Sequence, residues 1–148
     1  AGSEAVISAL GSWGTKQKNI LSEGMKAIIP AMEASGSKRL ITLTGSGAVW
    51  SGDKLTLVDK SSHVFIALLA RKILLDSEDH FRQLDASTLE WTCIRSPIMS
   101  KGPAKGYKLD NKAPSVFASV PREDVAKALI DQVSDIKFVR NSPHIHRA

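Results

Sequence analysis

Three short apolar runs, Ala5–Leu10, Arg39–Thr44 and Leu89–Arg95, are separated by stretches whose apolar residues recur at helical spacing. Within each run the apolar residues are largely continuous rather than alternating, the pattern of strands covered on both faces. Strands of that kind, interleaved with helices, select an α/β fold: a mostly parallel sheet with helices on both faces. Each run closes on turn-forming residues, Gly11-Ser12-Trp13-Gly14, Gly45-Ser46-Gly47 and Ser96-Pro97.

Between the first two runs, Leu21, Met25, Ile28 and Met32 predict a helix from about Thr15 to Ser35. It should kink at Pro30, which removes a backbone donor, and Gly24 should let it approach the sheet closely. Val64, Leu68 and Leu75 predict a second helix, interrupted near Asp76–Asp79 and resumed from His80 to Ala86. After Pro97 the periodicity weakens. Ser100–Pro114, with two glycines, two prolines and four lysines, reads as part of a substrate-side loop over about 96–115. A short strand over Val116–Val120 follows. Pro121-Arg122-Glu123-Asp124 then opens a helix with proline and acids in its first turn, and Val125, Leu129 and Val133 give it a buried face. A last strand is expected over Ile136–Arg140, ahead of the tail Ser142-Pro143-His144-Ile145-His146.

Composition narrows the function classes. A chain of 148 residues, 43% hydrophobic and 24% charged, is ordinary for one globular domain. It contains no apolar run of about 18 residues and no secretory signal pattern, so no membrane partner is expected. The lone Cys93 lies in an apolar run, reads as a small buried hydrophobe, and fits a reducing cytoplasm. The net charge of +5 raises nucleic acid as a partner, but the basic residues are scattered and Tyr107 is the only aromatic within their clusters. A small-molecule partner is expected instead.

In open parallel sheets, ligands bind in the crevice beyond the carboxyl ends of the strands. Here those ends are Leu10-Gly11-Ser12, Thr44-Gly45-Ser46 and Ser96-Pro97-Ile98. Gly45-Ser46-Gly47-Ala48-Val49-Trp50 follows a strand as a dinucleotide fingerprint would, but Trp50 stands where a third glycine is required for close packing. It is read as a pocket-lining loop, not the phosphate cradle. His144 and His146 would project from one face of an extended segment, yet no third ligand is near them in sequence and no metal is expected. Ser46, His80 and a carboxylate could be assembled into a triad on paper, but the Gly-x-Ser-x-Gly elbow is absent. So is the Tyr-x-x-x-Lys pair of short-chain dehydrogenases, because Tyr107 is followed at that distance by Asn111.

Taken together, AVISALGSWGT, RLITLTGSGAVW, DHFRQLDASTLEWTCIRSPIM and VPREDVAKALIDQV resemble the fourth, fifth and sixth strands and a late helix of NmrA-like atypical short-chain dehydrogenases/reductases. Leu89–Pro97 is the most specific match, close to a Leu-x-Trp-Thr-x-x-Arg-Pro strand but with Ser96 inserted. That group includes flavin- and biliverdin-type reductases and redox sensors that bind a nicotinamide nucleotide without turnover. The resemblance implies NADP or NAD as cofactor. Leu10, Gly11, Ser12 and Trp13 would lie on its adenosine and pyrophosphate side. Thr44, Gly45 and Ser46 would approach the nicotinamide, with Ser46 the catalytic hydroxyl, one place later than the family's serine. Pro97, Ile98 and Met99 would back the nicotinamide or border the substrate.

The expected activity is hydride transfer to a small flavin- or quinone-like acceptor in a pocket beneath Trp50, His63 and Tyr107. The alternative is a non-catalytic redox-sensing module. The family's Gly-x-x-Gly-x-x-Gly loop and first βαβ units would precede Ala5 by about 60 to 70 residues. The chain is therefore expected to be the carboxyl-terminal part of an NAD(P)-binding Rossmann-like domain, with the missing amino-terminal segment of that domain as its partner.

Overall fold

In the computed structural model, which describes residues 3–12, 15–53 and 57–148 without the side chains of 57–70, two strands form the buried centre of the molecule. β2 (Arg39–Gly45) and β3 (Glu90–Ser96) run parallel and in register from Arg39 opposite Glu90 to Gly45 opposite Ser96. Successive side chains on a strand point to opposite faces. Leu40, Trp91 and Cys93 therefore pack with Met25, Ile29 and Met32 of α1 (Ile20–Ser35) and Phe81 and Leu84 of α2 (Leu57–Ala86). Ile41, Leu43 and Ile94 face the other way, onto Val125, Ala128 and Leu129 of α3 (Arg122–Asp131). Helices thus cover both faces, and the α/β, mostly parallel, Rossmann-like architecture expected from the sequence is the one observed.

β1 (Ala5–Ser8) pairs in parallel with β2, and β7 (His144–Arg147) extends the sheet on the far side of β3. β5 (Tyr107–Asp110) closes the order β1-β2-β3-β7-β5 and is antiparallel to β7. A separate parallel pair joins β4 (Ile98–Ser100) to β6 (Ser119–Pro121). The Arg39 guanidinium donates to the Gln132 and Glu90 carbonyls and so ties the carboxyl end of α3, where backbone carbonyls lack helical partners, to the sheet.

Several sequence expectations are corrected. The Ala5–Leu10 run forms a strand only as far as Ser8, and among the described residues β2 alone lies beside it, which leaves Ile7 42% exposed. α1 starts at Ile20 rather than Thr15: the Thr15 hydroxyl bonds the Ser12 and Gln17 carbonyls and holds that stretch in a turn. α1 runs on through Pro30, which lies on its exposed side, where water can reach the carbonyl it deprives of a donor. Asp76–Asp79 does not interrupt α2, because Asp76 and Ser77 turn inward to partners on α1 and β2.

The region 96–115 is not a single loop but contains β4 and β5. Val116–Val120 is a strand only from Ser119. On α3 the buried face is Asp124, Val125, Ala128 and Leu129, with Ile130 63% exposed. No strand forms over Ile136–Arg140. That segment is a turn with Arg140 at φ 52°, pinned by the Arg140 N–H on the Trp91 carbonyl and by its guanidinium on the Ser87 and Leu89 carbonyls. The last strand is the tail itself, His144–Arg147.

Candidate functional site

The carboxyl ends of β1, β2 and β3 come together at one rim of the sheet, as parallel pairing requires. Gly11 and Gly45 are both open: a Cβ at either would meet nothing within 4 Å. Gly45 lies opposite Ser96, and the Ser46 N–H donates to the Ser96 carbonyl at 2.8 Å, which welds the two strand ends together. The Ser46 hydroxyl has no hydrogen-bond partner among the described residues and is half-buried at this rim. Ser12 is buried, and its carbonyl is held by Thr15. Leu10 is 39% exposed, and its side chain lies over Gly24, where a Cβ would come within 2.5 Å of Leu10 Cδ1. Gly24 thus meets this strand-end loop rather than the sheet itself.

Thr44 is placed differently from the other residues of its strand end. Its hydroxyl donates to Ser77 Oγ at 2.9 Å, and Ser77 Oγ donates in turn to the Ile73 carbonyl at 3.0 Å. The side chain faces α2 and is buried, so only its backbone reaches the rim. Pro97 is buried, whereas Ile98 and Met99 are exposed beyond it.

The pocket expected beneath Trp50, His63 and Tyr107 is not assembled. Trp50 packs edge-on against Trp91 with centroids 5.7 Å apart and donates from Nε1 to both Asp85 oxygens at 3.1 Å, on the α1/α2 face. Tyr107 packs on the α3 face and donates its hydroxyl to Asp131 at 2.6 Å. The sheet stands between them. Burial and the Asp131 carboxylate hold the Tyr107 phenol well above the ordinary range, so it keeps its proton. Trp13 and the side chain of His63 lie outside the described residues.

Neither α1 nor α3 offers a phosphate cradle. A helix amino terminus attracts anions through its unpaired N–H groups. At α1 those groups are taken by Asp76, which accepts from Leu21 N at 3.0 Å, Ser22 N at 2.9 Å and Ser22 Oγ at 2.6 Å. The hollow of about 410 Å³ beside it is lined by Lys18 and Lys72 but also by Asp76 and Asp79. At α3, Asp124 accepts the Lys105 and Gly106 N–H groups at 2.9 and 3.1 Å, and Glu123 accepts that of Ala104 at 2.8 Å. Acids that complement the helix dipole here also fasten the segment ahead of β5. Among the described residues, then, the rim at Gly45-Ser46 leaves room for a planar ring, while the starts of α1 and α3 offer no cradle for a pyrophosphate.

Two features of the rim escape sequence reasoning. Arg95, 2% exposed within an apolar strand, makes a bidentate pair with Asp53 at 2.6 Å through Nη1 and Nη2, and also donates to the Ala48 and Ser142 carbonyls. That pair clamps the loop carrying Ser46 onto β3. A charge inside an otherwise apolar strand was the available signal, since buried charges require partners. Beyond Pro97, a cavity of about 280 Å³ lies between Pro114, Ser119, Val120, Ile145 and His146. Nothing in the local sequence marks it, because its walls come from four separate segments. Cys93 is fully buried, and desolvation pushes its thiol up to about 11, which leaves it an inert apolar filler. No helix among the described residues is long and apolar enough to cross a membrane.

A family model described as NAD(P)H-binding matches residues 1–136. Among solved structures, a protein described as an NAD-dependent epimerase/dehydratase from Bacillus halodurans is 21% identical with a TM-score of 0.68, over 98% of this chain and 64% of that one. A short-chain dehydrogenase/reductase of Veillonella parvula, in complex with NADP, is 22% identical with a TM-score of 0.67, over 97% and 63%. A protein from Streptococcus pneumoniae described as an NADH-flavin reductase is 15% identical with a TM-score of 0.72, over 99% and 73%. This chain thus spans less than two thirds of the first two. No curated protein matches it.

Proposed function

This chain belongs to the NAD(P)H-binding family, and from that premise we propose that it is the nicotinamide-side portion of an NAD(P)H-dependent reductase of the NmrA-like atypical short-chain type. The acceptor is a small flavin- or quinone-like molecule. The observation that carries this reading is the open, welded rim at Gly45-Ser46 and Ser96-Pro97, with the 280 Å³ cavity directly beyond it. Bound there, the reduced nicotinamide supplies the hydride.

In this reading the backbone at Gly45 and Thr44 admits the nicotinamide, with the Ser46 hydroxyl beside it. Pro97, Ile98 and Met99 back the ring and border the acceptor. Leu10, Gly11 and Ser12 lie along the arm toward the adenosine, with Trp13 next in the chain. The protein from Streptococcus pneumoniae described as an NADH-flavin reductase, which shares this fold, motivates the acceptor class. A buried, inert Cys93 is compatible with action in the cytoplasm.

A second reading, a sensor that binds NAD(P)H without turning it over, is favoured by Tyr107. The only tyrosine is committed to Asp131 and is not a proton donor for a reactant at the rim. Steady-state NADPH and NADH oxidation by the native protein with a panel of flavins and quinones separates the two. Turnover with an acceptor is expected, and binding without turnover would transfer the assignment to the sensor.

A further inference from the structure

Arg95 stands where the rim and the cavity meet. It pairs in register with Thr44, one step before Ser96 and Pro97, and its Cζ lies 6.0 Å from the Phe81 ring centroid, on the α1/α2 face. From there the guanidinium holds two separate segments. Nη1 and Nη2 each donate to Asp53 at 2.6 Å, and Nη1 donates also to the Ala48 carbonyl at 3.2 Å, which fastens the loop that begins at Ser46. Nε and Nη2 donate to the Ser142 carbonyl at 3.0 and 2.6 Å, and the Arg95 N–H donates to the Pro143 carbonyl at 2.8 Å. Ser142 and Pro143 lead into β7, whose Ile145 and Arg147 line the 280 Å³ cavity. One planar group thus spans the rim loop and the cavity wall. The same loop has another anchor: Asp85 of α2 accepts from Trp50 Nε1 at 3.1 Å and Ser51 Oγ at 2.9 Å. Among the described residues, that carboxylate has no hydrogen bond to β3 or to Ser142-Pro143.

We propose that Arg95 and Asp53 are positioning residues for hydride transfer, fixing the Gly45-Ser46 rim against the β7 wall of the acceptor cavity. The proposal rests on the reductase reading above. Both act through the backbone they hold, not by touching a reactant. The hydride carries two electrons from NAD(P)H to the acceptor, solvent supplies the accompanying proton, and the step is steeply sensitive to how the two reactants are placed. Lysine in place of Arg95 keeps a charge beside Asp53 but lacks the fork, so it cannot hold Asp53, Ala48 and Ser142 at once.

Asp53→Asn and Arg95→Lys, with Asp85→Asn as the control on the same loop, test this in the native protein by two readouts. In amide hydrogen exchange, the N–H groups of Ser46 and of residue 95 should lose more protection than that of Ile41 in both clamp variants, and keep it in Asp85→Asn. In steady-state NADPH oxidation with FMN or menadione, both clamp variants should lower kcat by about 10²-fold, the cost of a misplacement of about 1 Å, with KM for NADPH little changed. The primary isotope effect with NADPH deuterated at the transferred position should rise, and Asp85→Asn should match wild type in both respects. Clamp variants that turn over like wild type, or a fall in kcat that Asp85→Asn shares, overturn the positioning role and leave the reductase reading standing. Protection lost at Ile41 as much as at Ser46 makes the pair merely structural and overturns it as well. A wild-type protein without turnover sinks the reductase reading and the positioning role together.

Discussion

The two sides of the sheet's carboxyl rim differ in what they do with polar groups. On the α1/α2 side the helix start is closed by Asp76, the Thr44 hydroxyl by Ser77, and Arg95 by Asp53. On the β6/β7 side, apolar surface is left uncovered, with Ile98 63% and Phe117 89% exposed next in sequence to Pro97 and Ala118 of the smaller cavity. The larger hollow, beside α1, is thus the poorer candidate for an anionic ligand, because its floor is a carboxylate whose hydrogen bonds are already made inside the fold. Satisfaction of polar groups, rather than volume, separates a structural hollow from a site.

That contrast can be broken first at its strongest point. Removing one partner of a buried ion pair leaves the other charge unpaired, so Asp53→Ala should destabilise the protein by about 3 to 5 kcal/mol in urea unfolding. A loss under 1 kcal/mol would mean that the clamp is incidental. The next effect concerns His80, fully buried between α2 and the sheet, with neither ring nitrogen hydrogen-bonded among the described residues. Burial lowers its pKa from 6.5 to about 4, against the smaller opposing pull of Asp76 and Asp79. Because the unfolded chain takes up this proton first, stability should fall as pH drops from about 6.5 toward 4, by roughly 3 kcal/mol from this group. His80→Leu should flatten that part of the profile, and an unchanged slope would remove His80 as its cause.

Asp76→Ala should cost roughly 1 to 2 kcal/mol as a lost helix cap. Thermal unfolding measures the loss, and an unchanged midpoint would show that water caps α1 equally well. Smallest in stability is Gly45→Val. The space is open and the backbone does not need glycine's left-handed region, so stability should change by under about 0.5 kcal/mol while NADPH binding is lost. Full binding by a folded Gly45→Val protein would move the nicotinamide away from β2.

β2 and β3 were readable in the sequence because both of their faces are buried, which leaves an unbroken apolar run such as Leu40-Ile41-Thr42-Leu43. β5 and β7 were not. Tyr107-Lys108-Leu109-Asp110 and His144-Ile145-His146-Arg147 form an antiparallel pair in which alternate positions stay polar, so neither produces such a run. Ile136–Arg140 imitated a strand through its apolar content but is held as a turn by bonds to distant carbonyls, which no local pattern encodes. The strand-end residues Gly11, Gly45 and Ser46 could be found because the crevice rule depends only on where strands end. Trp50 and Tyr107 could not be assigned to opposite faces without the sheet. Nor could Arg95 be matched to Asp53, since 42 positions separate them and the loop after β2 brings them together.

The most direct test of the account is an amide NMR titration of the ¹⁵N-labelled protein with NADP⁺, which detects weak binding as well as tight. Shifts should concentrate at Gly11, Gly45, Ser46 and Ile98, with Leu21 and Ser22 left in place behind the Asp76 cap. Shifts centred on Leu21 and Ser22, with Gly45 and Ser46 unmoved, would contradict it.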